Sequence, residues 1–168
     1  MSSEEQALRR NFGQMGKEFR EHWKHYVLQS LLATATIAVV LVFLTLENAV
    51  IVASVGASTF IVFAMPKNIT AKPRNLIGGH MAGMLVGSMF HFIPHALPMA
   101  AVIVYAAAVG VSIFLMVVLD MEHPPASGTT LGVVISGFSW GVGAAVLTAT
   151  VILSLVHRFC NRWIRDLV

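Results

Sequence analysis

Charge is scarce in this chain. Asp, Glu, Lys and Arg make up 11% of its 168 residues, whereas 57% are apolar. A soluble domain carries about 25% charged residues, so a water-solvated globular fold is excluded. Cysteine is nearly missing too. Cys160 is alone, which rules out an internal disulfide framework, and it is expected to be inert. Metal-ligand clusters are lacking: His91 and His95 have the spacing of a helical pair, but Pro94 stands between them and no third ligand is near. No nucleophile elbow or cysteine–histidine pairing is present. The chain is therefore expected to be no enzyme, to hold no metal or cofactor, and to bind no nucleic acid.

Long apolar runs take the place of charge. They cover residues 27–46, 49–65, 76–93, 97–119 and 126–156. A helix needs about 20 residues to cross roughly 30 Å of hydrocarbon. The expected fold is an all-α polytopic membrane protein of five or six spans, with 27–168 as one membrane domain. The first run is too long for a signal peptide and no cleavage site follows it, so it is expected to stay.

Residues 1–26 differ. Ser2 or Ser3 followed three positions later by Glu5 or Gln6 is a capping-box pattern. Leu8, Phe12, Met15, Phe19, Trp23 and Tyr26 then recur at intervals of three and four, with Arg9, Arg10, Lys17, Glu18 and Glu21 off the stripe. This predicts an amphipathic helix lying at the cytoplasmic membrane surface and leading into the first span.

Basic residues fall in three groups: the N-terminal segment, the turn with Lys67, Lys72 and Arg74, and the C-terminus with Arg158, Arg162 and Arg165. The turns at Glu47 and at His91–His95 hold no Lys or Arg. The positive-inside rule puts all three groups and both termini in the cytoplasm, in the plasma (inner) membrane. That needs an even number of crossings. The last run supplies it if Gly137-Phe138-Ser139-Trp140-Gly141 splits it into helices over about 126–137 and 141–158. The halves then read as two inverted three-helix repeats, a build in which transport sites lie at the repeat interface. Left unsplit, the chain has five spans and an outside C-terminus. The series Gly79/Gly83/Gly87, Gly128/Gly132 and Gly137/Gly141 predict close helix packing, within the chain or between the subunits of a homo-oligomer.

The polar residues inside these runs are the candidates for function. His80 shares a helix face with Met84, Gly87 and His91, just after Arg74 and Asn75. A histidine inside a span faces the bundle interior or a water path, and it can carry a proton near neutral pH. In Met121-Glu122-His123-Pro124-Pro125 the prolines interrupt the helix. Ser127, Gly128, Thr129 and Thr130 then open a new one, whose free N–H groups are expected to bind an anion. Gly56, Ala57, Ser58 and Thr59 are expected to face that site from the other half. Asp120 and Glu122 are expected to be solvated or paired with Lys67 or Arg74.

Val55-Gly56-Ala57-Ser58, Pro66, Lys72-Pro73-Arg74-Asn75-Leu76-Ile77-Gly78-Gly79-His80, Met116 and His123-Pro124-Pro125-Ala126 with Gly128 and Thr130 resemble the HPP family of integral membrane proteins over about residues 50–137. The family is described with four spans. Its plant chloroplast members are linked to nitrite transport, and some bacterial members carry a CBS domain. The resemblance implies a transporter or channel for a small inorganic anion, with nitrite as the leading substrate. The alternatives are an intramembrane enzyme using His80 and His123, and a structural membrane subunit.

Overall fold

The computed structural model describes residues 3–43, 49–94 and 96–167. Among them there is no strand. Six α-helices follow one another: α1 Ser3–Phe43, α2 Ala49–Ala64, α3 Pro73–His91, α4 Pro98–Val118, α5 Ala126–Ser136 and α6 Trp140–Cys160. Three contain stretches long and apolar enough to cross a membrane: Phe19–Leu41 in α1, and α4 and α6 in full. The side chains of Leu8, Phe12, Met15, Arg9, Arg10, Glu5 and Glu18, and all of Ser2, Glu47 and His95, lie outside the described residues.

Direction alternates through the bundle. α3 and α5 run parallel, because Gly83 meets Ala126 and Gly87 meets Thr130. α2 runs against α5, because Gly128 faces Ser54 and Gly132 faces Ile51. The halves α1–α3 and α4–α6 thus point in opposite senses, and their middle helices touch. Lys67, Lys72, Arg74, Arg158, Arg162 and Arg165 gather at one end of the bundle, with the start of α3 and the ends of α2 and α6.

The split of the last apolar run is where the glycine and serine place it. Gly137 ends α5 at φ 82°, a left-handed conformation that suits glycine, and its N–H reaches Val133 O. Ser139 Oγ then accepts from Val142 N–H at 3.1 Å and caps α6. α5 has 11 residues, about 16 Å at 1.5 Å per residue, about half the hydrocarbon thickness.

One expectation changes. α1 is continuous for 41 residues through Tyr26 and Val27, and it contains no proline. The apolar stretch also begins at Phe19 rather than Val27.

Burial explains which helices look apolar. α4 buries only the stripe Val104, Ala108, Ser112 and Met116 and shows Val102, Ile103, Phe114 and Val118 outward, as a lipid-facing helix must. α3 is central and buries nine residues, Asn75 and His80 among them. Its buried face packs on α4, α5 and α6 and carries these polar groups, while Met81, Leu85 and Met89 face outward. The main apolar core, with Ile51, Val55, Leu76, Met84, Val133, Val146 and Leu153, joins α2, α3, α5 and α6.

The basic end is tied off by the C-terminal tail. The end of α2 leaves carbonyls without helical partners. Gln29 Nε2 donates to Phe63 O at 2.5 Å and to Arg165 O at 2.8 Å. Leu167 N–H donates to Ala64 O at 2.9 Å, and buried His157 Nε2–H to Pro66 O at 2.7 Å. Tyr26 hydroxyl donates to Leu167 O at 3.2 Å.

Candidate functional site

The chain between α4 and α5 dives into the bundle as irregular backbone. α4 ends at Val118, and Asp120, with a φ of 55°, turns the chain. Residues 121–123 then run without helical structure beside the first half of α3. Irregular backbone at depth is tolerated only where protein encloses it. Gly78 and Gly79 make the room: a Cβ on Gly79 would stand 2.6 Å from His123 Cβ, and one on Gly78 2.4 Å from Met121 Sδ. Pro124 and Pro125 carry no N–H, so they remove two donors that this buried segment would otherwise have to satisfy. Asn75 Nδ2 donates to Glu122 O at 3.2 Å.

This descent brings His123 to His80. Both imidazoles are almost wholly enclosed, at 0% and 1% exposure, with ring centroids 5.1 Å apart. Ser58 of α2 sits between them, its Oγ 2.8 Å from His123 Nε2 and 2.9 Å from His80 Nε2. His123 Nδ1–H donates to Thr70 O at 2.8 Å, since a carbonyl can only accept. His80 Nδ1 lies 2.7 Å from Thr129 Oγ1, which is 3.0 Å from Ser54 Oγ, and Ser54 donates to Pro125 O. Three helices and the unwound segment are thus joined by one polar chain.

The expected site residues divide. His80, His123, Ser58 and Thr129 meet in this chain. Gly128 presses its backbone on Ser54: a Cβ on it would stand 3.1 Å from Ser54 Cβ. Thr59 and Thr130 are buried, but their hydroxyls bond back to Val55 O and Ala126 O of their own helices. Gly56 has open space beside it and Ala57 faces outward. Asn75 positions Glu122. Arg74 stays at the surface, 3.1 Å from Asp120 Oδ2 and 3.0 Å from Leu119 O, away from the histidines.

The expected free donors at the start of α5 are already used. Ala126, Ser127 and Gly128 N–H groups donate to the carbonyls of His123, Pro124 and Pro125 at 2.9, 3.1 and 2.9 Å. His91 Nδ1–H donates to Val134 O at 3.0 Å and ties α3 to α5. Sequence reading missed Ser54, Thr70, Gln29 and His157. Ser54 and Gln29 sit within apolar surroundings that read as lipid-facing, and a carbonyl such as that of Thr70 leaves no sequence mark.

A cleft of about 290 Å³ reaches the chain from the side of α4. It is lined by Glu122, His123, Pro124 and Ser127 and by Ile113, Met116 and Val117. A larger hollow of about 510 Å³ between α3 and α6 is apolar but for Ser88.

A bundle of alternating apolar helices, closed around two buried histidines and an unwound segment, defines a polytopic α-helical membrane protein. The chain belongs to the HPP family: residues 18–166 match its transmembrane region. That match reaches well beyond residues 50–137, and the fold has more helices than the four spans expected for the family. Two transmembrane proteins of Dictyostelium discoideum are similar. One is 38% identical over 82 residues, covering 49% of this chain and 29% of the relative. The other is 29% identical over 125 residues, covering 69% of this chain and 40% of the relative. The chain thus spans less than half the length of these relatives. No solved structure matches it.

Proposed function

We propose that this protein carries a small inorganic anion across the membrane, with nitrite as the leading substrate, and that it is no enzyme. The observation that carries this reading is the pair His80 and His123, held with Ser58 where an unwound crossing meets α2 and α3. Ionisable groups enclosed in a membrane bundle are costly and mark ion and proton pathways. Discontinuous helices at the contact of two opposed halves are where transporters place their sites. The anion enters from the basic end through the cleft beside α4, where Ser127 offers it a hydrogen bond and the enclosed His123 stands behind the wall. The site is built from side chains rather than from the start of α5, whose N–H groups are occupied.

The basic end is cytoplasmic by the positive-inside rule, so both termini are cytoplasmic and the membrane is the plasma (inner) membrane. Lipid covers the outward face of α4, and the assembled form is a homo-oligomer. The test is flux into vesicles that hold the purified full chain, with nitrite, nitrate and formate supplied in turn. Uptake above that of protein-free vesicles is the expected result. No uptake of any of the three overturns the reading.

A further inference from the structure

The polar chain is one hydrogen short. Six contacts build it: Thr70 O to His123 Nδ1, His123 Nε2 to Ser58 Oγ, Ser58 Oγ to His80 Nε2, His80 Nδ1 to Thr129 Oγ1, Thr129 Oγ1 to Ser54 Oγ, and Ser54 Oγ to Pro125 O. Each needs one hydrogen. Two neutral imidazoles and three hydroxyls supply five. Both ends of the chain are carbonyls, which have none to give. A further contact, Ser58 hydroxyl to Ser54 O at 3.0 Å, is dispensable, because that carbonyl already receives a helical N–H.

One added proton completes all six contacts. With the proton on His123, its Nε2–H donates to Ser58, Ser58 to His80 Nε2, His80 Nδ1–H to Thr129, Thr129 to Ser54, and Ser54 to Pro125 O. With the proton on His80, its Nε2–H donates to Ser58 and Ser58 donates to His123 Nε2, while the rest is unchanged. The two forms interconvert when Ser58 takes the hydrogen from one ring and passes its own to the other. Only N–H and O–H bonds form and break, and the charge moves from ring to ring.

The surroundings decide when that proton stays. α2 brings only hydroxyls. On α3, Arg74 is engaged by Asp120, Asn75 is neutral, and His91 is tied to Val134 O near the far end. Lys67 and Lys72 are exposed. From α6, His157 donates to Pro66 O, and Asp166 of the tail accepts from Lys67 N–H. α4 presents Ile113, Met116 and Val117 to the cleft, where Glu122 is the one carboxylate. An enclosed imidazolium is unfavourable without a negative partner. An anion in the cleft supplies one.

We propose that the His123–Ser58–His80–Thr129–Ser54 chain is a binding site for a single proton, shared by the two imidazoles through Ser58 and taken up together with each transported anion. This rests on the anion-transport reading and adds its coupling ion.

The test uses the full chain in vesicles that hold a trapped pH dye, with nitrite or nitrate outside and protein-free vesicles as the background for the undissociated acid. The expected result is one proton entering per anion, with a one-unit acid-outside gradient driving about tenfold anion accumulation. Ser58→Ala should lower anion and proton entry together by at least about tenfold. Anion entry with no proton entry, or with no response to the gradient, overturns the proposal and leaves the transport reading standing. Absence of any anion entry overturns both. If Ser58→Ala does not fold, the proton-to-anion ratio of the unmodified chain decides.

Discussion

Gly79 and His123 touch backbone to side chain: a Cβ on Gly79 would stand 2.6 Å from His123 Cβ and 3.2 Å from Met121 O. No flexible side-chain end is there to yield. Gly79→Ala is therefore expected to cost about 1–3 kcal/mol through overpacking. Gly56→Ala, also on a helix but with nothing within 4 Å, is expected to gain about 0.4–1 kcal/mol. Thermal melts of the two variants in one detergent check the pair. Equal shifts would show that α3 does not press on the unwound segment.

Ser127 and Thr130 should behave differently although both follow His123. Ser127 lines the cleft, whereas Thr130 Oγ1 donates to Ala126 O and lies 2.9 Å from where a Gly83 Cβ would be. Ser127→Ala is expected to raise the half-saturating anion concentration about three- to tenfold with little change in melting temperature. Thr130→Ala is expected to leave that concentration unchanged. The reverse pattern in a flux assay would move the site deeper along α5.

Arg74 is expected to be dispensable for anion affinity. Its ion pair with Asp120 is 59% and 67% exposed, so it contributes about 0–1 kcal/mol. Arg74→Gln should transport with unchanged affinity and melt within a few degrees of the parent. A large loss of affinity would place Arg74 on the anion path.

Orientation is checked by labelling. In a Cys160→Ser background, Trp163→Cys should react with an impermeant maleimide only after cells are opened, and Leu97→Cys should react in intact cells. Both positions are well exposed, at 60% and 73%. Labelling of both from outside would defeat the cytoplasmic placement of the C-terminus.

Much of this fold was legible in the sequence, since its signals are local. Gly137 and Ser139 mark the end of α5 and the cap of α6 by backbone conformation and side-chain reach, both set within a few residues. The Gly79/Gly83/Gly87 series announces close packing, and it packs on α5. What could not be read is which polar groups meet. Ser54 sits in a run that looks lipid-facing, and it becomes part of the site only because α5 crosses there. The sequence reads the N–H groups at the start of α5 as free, yet those of Ala126, Ser127 and Gly128 donate to the carbonyls of His123, Pro124 and Pro125.

The tail at the basic end sets an order of events during synthesis. Gln29 lies in α1, while its partner Arg165 and the Leu167 that closes on Ala64 follow α6 in the chain. Until they arrive, the first two helices wait in the bilayer with an unfinished seam. The seam between α1 and α2 is thus closed only once the chain beyond α6 has been made.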